Sequence, residues 1–338
     1  MLLMALDGGK SRTTCILFRE DGELISMASA GPSGLMLSFD QAVREVRSAI
    51  FACLAKASTS IEEVDVLVLG LADLDTRRDW ELAHRLVELL RLPPRLRVVV
   101  EHDAVTAYYA VTHGQPGVAV IAGTGSIALA VNERGERARA GGWGWLFDDE
   151  GSAFWIAREA LAAASRAVDG RGEETRLVDA IMRALGIKDF IEVIDAVYKG
   201  PWGEPGRMAS LAAVVDEVAE EGDEVARRIL IQAGAELAEL ARVAAAKLGM
   251  EDSPMLVGGF GGVFKSRLVT ESFEREVKLK LPHAIVRPPV TGRLALLGPA
   301  IIALREAGLS GDELEATISR LSSALRRGTA QRRRADGG

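Results

Sequence analysis

A glycine-rich turn near the start of the chain carries residue types that bind phosphate. Residues 7–13 read Asp-Gly-Gly-Lys-Ser-Arg-Thr between two apolar runs. Glycine lets backbone N–H groups approach an anion closely, and Asp7 could hold Mg²⁺ through water. Because Asp-Gly turns are common, two interpretations stay open. One is a plain polar turn, and the other is a phosphate-binding hairpin formed by Gly8, Gly9, Lys10, Ser11 and Thr13.

A second glycine-rich turn follows the apolar run 118–121 and reads Gly-Thr-Gly-Ser-Ile-Ala at residues 123–128. It imitates the dinucleotide-binding pattern G-x-G-x-x-A, which must open a helix. Residues 127–131 are apolar and lead into a further turn, so they predict a strand instead. We therefore reject a dinucleotide site. The remaining interpretations are a tight β-turn and a second phosphate-binding hairpin formed by Gly123, Thr124, Gly125 and Ser126.

The densest segment of the chain is residues 141–155, which read Gly-Gly-Trp-Gly-Trp-Leu-Phe-Asp-Asp-Glu-Gly-Ser-Ala-Phe-Trp and hold three of the five tryptophans. The glycines of this segment allow backbone conformations that other residues avoid, whereas its large aromatic rings restrict the segment where they pack. Acidic residues just before a helix are ordinary caps, which accounts for Asp148. Capping does not account for the density of glycine and tryptophan, so the segment is a candidate for binding.

Two further positions could carry chemistry at the ends of predicted strands. Asp103 follows the strand 96–100 and precedes the helix 104–111, so it is either a helix cap or a general base. The paired glycines at 258–262 follow the strand 254–257. They offer either a packing turn or a flat surface for an adenine ring, made by Gly258, Gly259, Gly261 and Gly262.

The elements that must position these residues form a pattern that occurs twice. Each half has three antiparallel strands opening with a glycine-rich turn, followed by alternating helices and strands. The predicted elements of the first half are strands 2–6, 13–19, 23–28, 64–69 and 96–100 with helices 38–56 and 79–90. Those of the second half are strands 117–122, 127–132, 254–257 and 284–287, helices 152–168 and 175–249 with a loop at 200–206, and a closing helix 292–307 extended by 311–326. The pattern predicts two α/β domains facing one another with ligands in the crevice between them.

Composition excludes several classes of protein. The 338 residues are 48% hydrophobic and 26% charged, with a net charge of −7, which is the balance of a globular protein and offers no basic surplus for nucleic acid. The two cysteines make no disulfide framework or zinc site, so we expect a cytoplasmic protein. The apolar run 1–6 is cut off by Asp7 and is too short for a signal peptide. The run 294–304 is interrupted by Gly298 and Pro299, so we do not expect it to cross a membrane.

Taken together and in this order, the segments resemble the superfamily of sugar kinases, Hsp70 chaperones and actin. The closest likeness is to the N-acetylglucosamine kinase and BadF/BadG ATPase family. The resemblance runs from Leu3 to about Ala303. Its specific part is the turn 123–126 followed by Gly-Gly-Trp-Gly at 141–144 and Asp-Glu-Gly-Ser-Ala at 149–153.

This resemblance implies two ribonuclease-H-like domains, as in actin-like ATPases, that close about a ligand cleft holding ATP and a sugar. The first domain would span 1–112 and be completed by a helix at about 292–326. The second would span 113–291 with a helical insertion, and 327–338 would be a flexible tail. The implied function is an ATP-dependent sugar kinase acting on N-acetylglucosamine or a related hexose, with ATP and Mg²⁺ as cofactors. Homodimers are frequent among such proteins.

The resemblance also assigns roles to residues. Asp103 matches the catalytic aspartate and would accept the proton of the attacking sugar hydroxyl, the one on C6. The two turns would hold the phosphates, Asp7 would link to Mg²⁺ through water, and the glycines at 258–262 would bind adenosine. The implied sugar-binding residues are Asp103, Thr124, Gly142, Trp143, Gly144, Asp149 and Ala153. Gly34 stands where relatives often carry Asn, and Asp148 where they often carry Gly, which leaves the sugar open.

Two rival functions differ from a kinase. One is an ATPase that activates a partner enzyme, as in the 2-hydroxyacyl-CoA dehydratase activators, which hold an iron–sulfur cluster with cysteine thiolates. Cys15 lies in a predicted strand and Cys53 in a predicted helix, which disfavours such a cluster. The other is a non-catalytic sugar or nucleotide sensor, which the presence of Asp7, Asp103 and both turns disfavours.

Overall fold

The computed structural model describes residues 1–35 and 38–335. The chain divides into two compact units, one formed by Met1–Gly114 with Gly292–Gly338 and the other by Gln115–Thr291. The first unit begins with β1 (Leu2–Gly8), β2 (Thr13–Arg19), β3 (Leu24–Ala30), α1 (Phe39–Ala57), β4 (Val66–Leu71), α2 (Arg77–Leu90), β5 (Arg97–His102) and α3 (Asp103–Thr112).

The second unit and the return of the chain complete the element order. The second unit contains β6 (Gly117–Ala122), β7 (Ser126–Val131), β8 (Arg137–Gly141), α4 (Ala153–Val168), α5 (Leu177–Leu185), α6 (Val193–Tyr198), α7 (Pro205–Ala209), α8 (Leu211–Glu220), α9 (Glu224–Ala246), β9 (Met255–Phe260), α10 (Arg267–Lys280) and β10 (Ala284–Val290). The chain then returns to the first unit with α11 (Leu297–Glu306) and α12 (Gly311–Ala335).

Each unit is built on a mixed five-stranded sheet with the same strand order. The first sheet runs β3-β2-β1-β4-β5, and the second, read from its other edge, runs β8-β7-β6-β9-β10. In each sheet the first three strands pair antiparallel and the last two pair parallel. This repeated order confirms the predicted α/β class with two domains of one topology.

The β1 strand shows why the first sheet is covered by helices on both faces. Met4 and Leu6 belong to the core cluster that includes α1 and α2, while Leu3 and Ala5, which point to the opposite face, are also fully buried. A strand buried on both faces reads as a continuous apolar run. The central strands therefore form a rigid platform whose carboxyl ends hold the polar residues described below.

Helix boundaries follow ordinary capping chemistry. The side chain of Ser38 accepts from the backbone N–H of Gln41 at the start of α1, and Asp223 accepts from Ala226 at the start of α9. In α9 the buried face is mainly alanine, so this long helix packs closely against its neighbours. Within the described residues, no helix is both long and apolar enough to span a membrane.

Several predicted boundaries were wrong. The loop expected at 200–206 contains a short 3₁₀ turn and the start of α7, because Pro201 and Pro205 both stand at first helical positions, where proline is favoured. Strand β9 extends to Phe260, so Gly258 and Gly259 lie inside it instead of in the turn after it. Helix α12 continues to Ala335, past the expected end at 326, and 336–338, the end of the expected tail, lie outside the described residues.

Candidate active site

The first glycine-rich turn is a hairpin at the carboxyl end of β1. The N–H of Gly9 donates to the carbonyl of Arg12 (3.0 Å) and closes the turn between β1 and β2. Lys10 and Ser11 lie exposed at its tip, as donors to an anion must. The hydroxyl of Thr13 is buried and donates to the carbonyl of Gly31 (2.8 Å), so Thr13 anchors the hairpin to the loop that follows β3.

Strand register brings the functional side chains of the first unit to one sheet edge. Asp7 lies beside Gly70 of β4, and Gly70 beside Glu101 of β5. Because these three strands are parallel, their carboxyl ends meet at the same edge. Asp103, two residues past Glu101, therefore follows β5 at the same edge, although 96 positions separate it from Asp7 along the chain.

Lys10 makes an ion pair at this edge that the sequence analysis missed. Its Nζ lies 2.8 Å from Oδ1 of Asp73, whose side chain is only 6% exposed, in the loop after β4. Burial lowers the pKa of Lys10, but Asp73, Asp103 and Asp75 outweigh it, so this pKa lies above its ordinary value. An ammonium group has three N–H donors, so the pair leaves Lys10 with donors for a further anion.

Asp7 and Asp103 are close enough to interact as like charges. Burial raises the pKa of Asp7 from 3.8 to about 6, and the negative charge of Asp103 adds to the rise. A partly buried carboxylate with a raised pKa is typical of functional sites. An oxygen ligand of this kind suits Mg²⁺, which keeps several of its waters. Within the described residues, no group of three or more His, Cys, Asp or Glu side chains could hold a metal ion by itself.

Asp103 is the first residue of α3 and is held there firmly. The hydroxyl of Thr106 donates to the carbonyl of Asp103 (2.9 Å). A Cβ on Gly298 of α11 would lie 2.0 Å from the carbonyl oxygen of Thr106, so α3 and α11 approach as closely as glycine allows. The side chain of Asp103 is 44% exposed and lies at the positive end of the helix dipole, where a carboxylate is stable and can reach a substrate.

His102, at the cap of α3, is a second residue that sequence reasoning missed. Its Nδ1 lies 2.9 Å from Oδ1 of Asp103, and its Nε2 lies 3.6 Å from Oδ1 of Asp75. The same Nδ1 accepts from the backbone N–H of Ala104 (2.9 Å). The signal available in the sequence was position, because Asp73 and Asp75 follow β4 and His102 ends β5, and these two strands run parallel in one sheet.

The second glycine-rich turn is also a hairpin, between β6 and β7. The N–H of Gly123 donates to the carbonyl of Gly125 (2.9 Å), and Ala122 pairs with Ser126. The start of α4 supports the turn, since the N–H of Ala153 donates to the carbonyl of Gly123 (2.9 Å). Thr124 is exposed at the tip, which is the position a phosphate-binding side chain needs.

Asp149 joins the Trp-containing loop to this hairpin. Its carboxylate is 6% exposed and accepts from the backbone N–H of Ser126 (2.9 Å), and the Ser126 hydroxyl donates to the carbonyl of Glu150 (2.8 Å). A Cβ on Gly125 would lie 2.7 Å from the Asp149 carboxylate, so only glycine fits there. Asp149 also has a left-handed backbone (φ 65°), which is uncommon for a residue other than glycine.

The Trp-containing loop presents large apolar side chains to solvent. Trp143 is 64% exposed and Phe147 74% exposed. The Arg139 guanidinium stacks 4.5 Å from the centre of the Trp143 ring, and the carboxylate of Asp148 accepts from the backbone N–H of Trp143 (2.8 Å). Asp148 therefore holds the loop in shape. Gly142 and Gly144 flank Trp143 with left-handed backbones.

The predicted adenosine motif is divided between β9 and the turn after it. The ring of Phe264 packs directly against Gly259, since a Cβ at that position would lie 2.5 Å from the ring. Gly262 is exposed and has open space where its Cβ would be. Gly258 and Gly259 are buried in β9, a Cβ on Gly261 would lie 2.4 Å from the carbonyl oxygen of Ala122, and Gly262 is the exposed glycine of the motif.

The loop after β3 contains a polar group that is otherwise unexplained. Ser33 is 1% exposed, and among the described residues its hydroxyl oxygen has no hydrogen-bond partner. A Cβ on Gly8 would lie 2.8 Å from this oxygen, so Ser33 packs directly against the end of β1. The neighbouring Gly34 is buried.

The chain is similar to known proteins that are named as sugar kinases. The chain is 30% identical over 282 residues to an N-acetylmuramic acid/N-acetylglucosamine kinase of Clostridium acetobutylicum, covering 83% of this chain and 91% of that one. It is 26% identical to an N-acetyl-D-glucosamine kinase of Dictyostelium discoideum, covering 84% and 92%.

A solved structure from Chromobacterium violaceum, provisionally named an N-acetylglucosamine kinase, superposes with a TM-score of 0.70 at 25% identity. That match covers 89% of this chain and 98% of the other. Residues 6–303 match the model of the BadF/BadG/BcrA/BcrD ATPase family. The chain belongs to the BadF/BadG/BcrA/BcrD ATPase family, as the order of its glycine, tryptophan and aspartate motifs predicted.

Proposed function

We propose that the protein is an ATP-dependent kinase that phosphorylates a hydroxyl, the one on C6, of N-acetylglucosamine or a related hexose. Membership of an ATPase family and the kinase names of the two curated relatives support phosphoryl transfer to an alcohol. The observation that carries the proposal is the sheet edge of the first unit. There a rigid strand–helix junction presents the exposed Asp103 carboxylate beside Asp7, Lys10 and the phosphate hairpin.

Phosphoryl transfer depends on positioning and charge neutralisation more than on covalent chemistry. In the first unit the amide of Gly8 with Lys10 and Ser11 would bind phosphate oxygens, and Asp7 would orient the water shell of Mg²⁺. In the second unit Thr124 and the amide of Gly125 would bind phosphate oxygens. The N–H groups of Gly9 and Gly123 close the two turns, and the hydroxyls of Thr13 and Ser126 are engaged within the protein, so these four residues would keep the hairpins in shape.

Asp103 would accept the proton of the attacking hydroxyl. Its exposure, its place at the N-terminus of α3 and its fixed backbone suit a general base. Mg²⁺ supplies charge neutralisation at the phosphates when it is bound. The exposed ring of Trp143, with Gly142, Gly144, Asp149 and Ala153, supports a sugar subsite in the second unit, where a large flat ring can pack on a sugar.

The rival role as an activator with an iron–sulfur cluster lacks support from the cysteines. Cys15 in β2 and Cys53 in α1 are both fully buried in the core of the first unit. The hydroxyl of Ser26 lies 3.1 Å from the Cys53 sulfur. Cluster thiolates lie where inorganic sulfur and iron can reach them, whereas these two side chains are packed as core residues.

The proposal is tested by replacing the general base. Asp103→Asn retains the size of the side chain but cannot accept a proton, so kcat should fall about 10²- to 10⁴-fold. ATP affinity, measured by calorimetry, should change little. Asp21→Asn, an exposed carboxylate at the opposite end of β2, is the matched control and should keep full turnover.

The assay couples ADP release to N-acetylglucosamine, N-acetylmuramic acid, glucosamine and glucose, and phosphorus NMR of the product identifies the phosphorylated hydroxyl. Sugar-dependent ADP release that disappears in Asp103→Asn supports the proposal. An Asp103→Asn enzyme with normal turnover would exclude Asp103 as the base, and a failure of every sugar to stimulate ADP release would exclude the kinase.

A further inference from the structure

His102 lies between two carboxylates at the strand edge that holds the proposed general base. One ring nitrogen, Nδ1, is 2.9 Å from Asp103, and the other, Nε2, is 3.6 Å from Asp75. The side chain is 20% exposed, so the imidazole is partly withdrawn from water. A histidine held between two acids next to a catalytic carboxylate is a candidate for controlling that carboxylate.

The two contacts of Nδ1 exclude each other. To accept from the N–H of Ala104, as it does at 2.9 Å, the nitrogen must offer its lone pair. To donate to the Asp103 carboxylate it must carry a proton. A ring nitrogen has a single position in the ring plane for either a lone pair or a hydrogen, so only one of the two bonds exists at a time.

We propose that His102 is a positioning residue with two states, capping α3 when neutral and holding the Asp103 carboxylate when protonated. The inference rests on the proposed function, since it assigns Asp103 the role of general base. In the neutral state Nε2–H faces Asp75 and the Asp103 carboxylate is available to a substrate hydroxyl. In the protonated state a charge-assisted hydrogen bond occupies the Asp103 oxygen.

Protonated His102 occupies the Asp103 oxygen that would otherwise accept the proton of a substrate hydroxyl. Turnover should therefore rise as His102 loses its proton. Burial of His102 disfavours its charged form, but Asp103 and Asp75 outweigh this, so its pKa lies above the ordinary 6.5. The cation of Lys10 also faces Asp103 and Asp75 and is already paired with Asp73, so it competes with His102 for the same carboxylates.

The alternative is that His102 only caps α3. A substitution at position 102 can separate the capping role from the titrating role. Asparagine is among the strongest N-cap residues, and its side-chain oxygen can accept the same backbone N–H. His102→Asn therefore keeps the cap but removes the titrating group. Asp75→Asn leaves the sequence of α3 unchanged but removes one of the two acids that favour protonated His102.

The first measurement follows the imidazole directly and needs no turnover. The chain has four histidines, and their Cε1–H signals can be followed by proton NMR from pH 5 to 9 in the full-length protein, with the His102 signal assigned by its absence in His102→Asn. The His102 signal should titrate above pH 6.5, and Asp75→Asn should move its midpoint to lower pH. If the His102 signal has its midpoint at or below pH 6.5 and Asp75→Asn does not shift it, the inference is overturned. The kinase proposal is unaffected by that result.

The second measurement is the pH dependence of kcat/KM with a sugar that supports turnover. In the wild type kcat/KM should fall about tenfold per pH unit below the His102 midpoint found by NMR. In His102→Asn this acid limb should move down to about pH 6, where Asp7 takes up its proton. An unshifted limb in His102→Asn would refute the inference. If no sugar supports turnover, the kinase proposal fails, and NMR still decides whether His102 exchanges its partners.

Discussion

Replacing Asp7 should make the protein more stable while it removes function. Asp7 is partly buried at the end of β1, and its ionised form is disfavoured first by that burial and then by the charge of Asp103. Asp7→Asn keeps the shape of the side chain and removes its charge. At pH 8 we expect the variant to unfold at higher urea concentration than the wild type, although its turnover with Mg²⁺ and ATP should collapse.

The increase in the free energy of unfolding expected for Asp7→Asn follows from the raised pKa of Asp7. An increase from 3.8 to about 6, at 1.36 kcal/mol per pH unit, corresponds to a cost of about 3 kcal/mol for holding Asp7 ionised in the native state. A carboxyl group whose native pKa is raised binds more protons folded than unfolded between pH 4 and 6. The protonated Asp7 side chain therefore contributes its full stability below the unfolded pKa of 3.8. This contribution is lost as the pH rises through the folded pKa of about 6.

The assay compares urea unfolding of the two proteins at pH 4.5, 5.5, 6.5 and 8. Taking the difference between the two unfolding free energies cancels the titration of the other groups. This difference should widen from about 1 kcal/mol at pH 4.5, which is already above the unfolded pKa of 3.8, to about 3 kcal/mol at pH 8. Saturating Mg²⁺ with ATP should narrow the gap by stabilising only the wild type. A gap that is constant with pH, or an Asp7→Asn protein less stable than the wild type at pH 8, would refute the burial argument.

Two more predictions test the loop contacts. Asp149→Asn weakens a charged acceptor of the Ser126 N–H, so it should lower the free energy of unfolding by about 1–3 kcal/mol and raise KM for ATP. A higher KM for sugar alone, with unchanged stability, would show that Asp149 serves only the sugar subsite and does not support the hairpin. Ser33→Ala removes a buried hydroxyl that lacks a partner among the described residues, so the unfolding free energy should stay level or increase. A stability loss above 1 kcal/mol would contradict this, and a higher KM for sugar in the variant would show that the hydroxyl contacts substrate.

The sequence predicted the parts of the site that lie next to each other along the chain. Both hairpins could be recognised because glycine between apolar runs permits only a few turn geometries, and Asp103 stood out because it separates a strand from a helix. The repeat of strand patterns was sufficient to predict two α/β units. These are local signals, and they depend on the propensities of neighbouring residues.

The contacts between distant segments could not be predicted. The pairing of Lys10 with Asp73, and of His102 with Asp75, depends on the register of β1, β4 and β5, and periodicity carries no information about register between strands. The motif predicts Asp149 as a sugar ligand but does not predict its contact with the second hairpin. Its hydrogen bond to Ser126 occurs with a backbone φ of 65°, a conformation that is uncommon for residues other than glycine and that the sequence does not signal at this position.

One physical cause connects the titration behaviour of the first unit. Asp7, Lys10 and His102 are a carboxyl, an ammonium and an imidazole group, yet the pKa of each is raised. Burial alone would raise the pKa of the acid and lower those of the two bases. The shared direction therefore requires a negative potential, and Asp73, Asp75 and Asp103 supply it.

A site with this surplus of negative charge repels a polyphosphate unless a cation comes with it. Lys10 is already paired with Asp73, so a single ammonium group cannot neutralise the edge. A divalent cation bound to ATP can do so, and it would also lower the cost of ionising Asp7. On the proposed function, the carboxylates that destabilise this edge above pH 6 would be the groups that favour a nucleotide carrying its metal ion over the nucleotide alone.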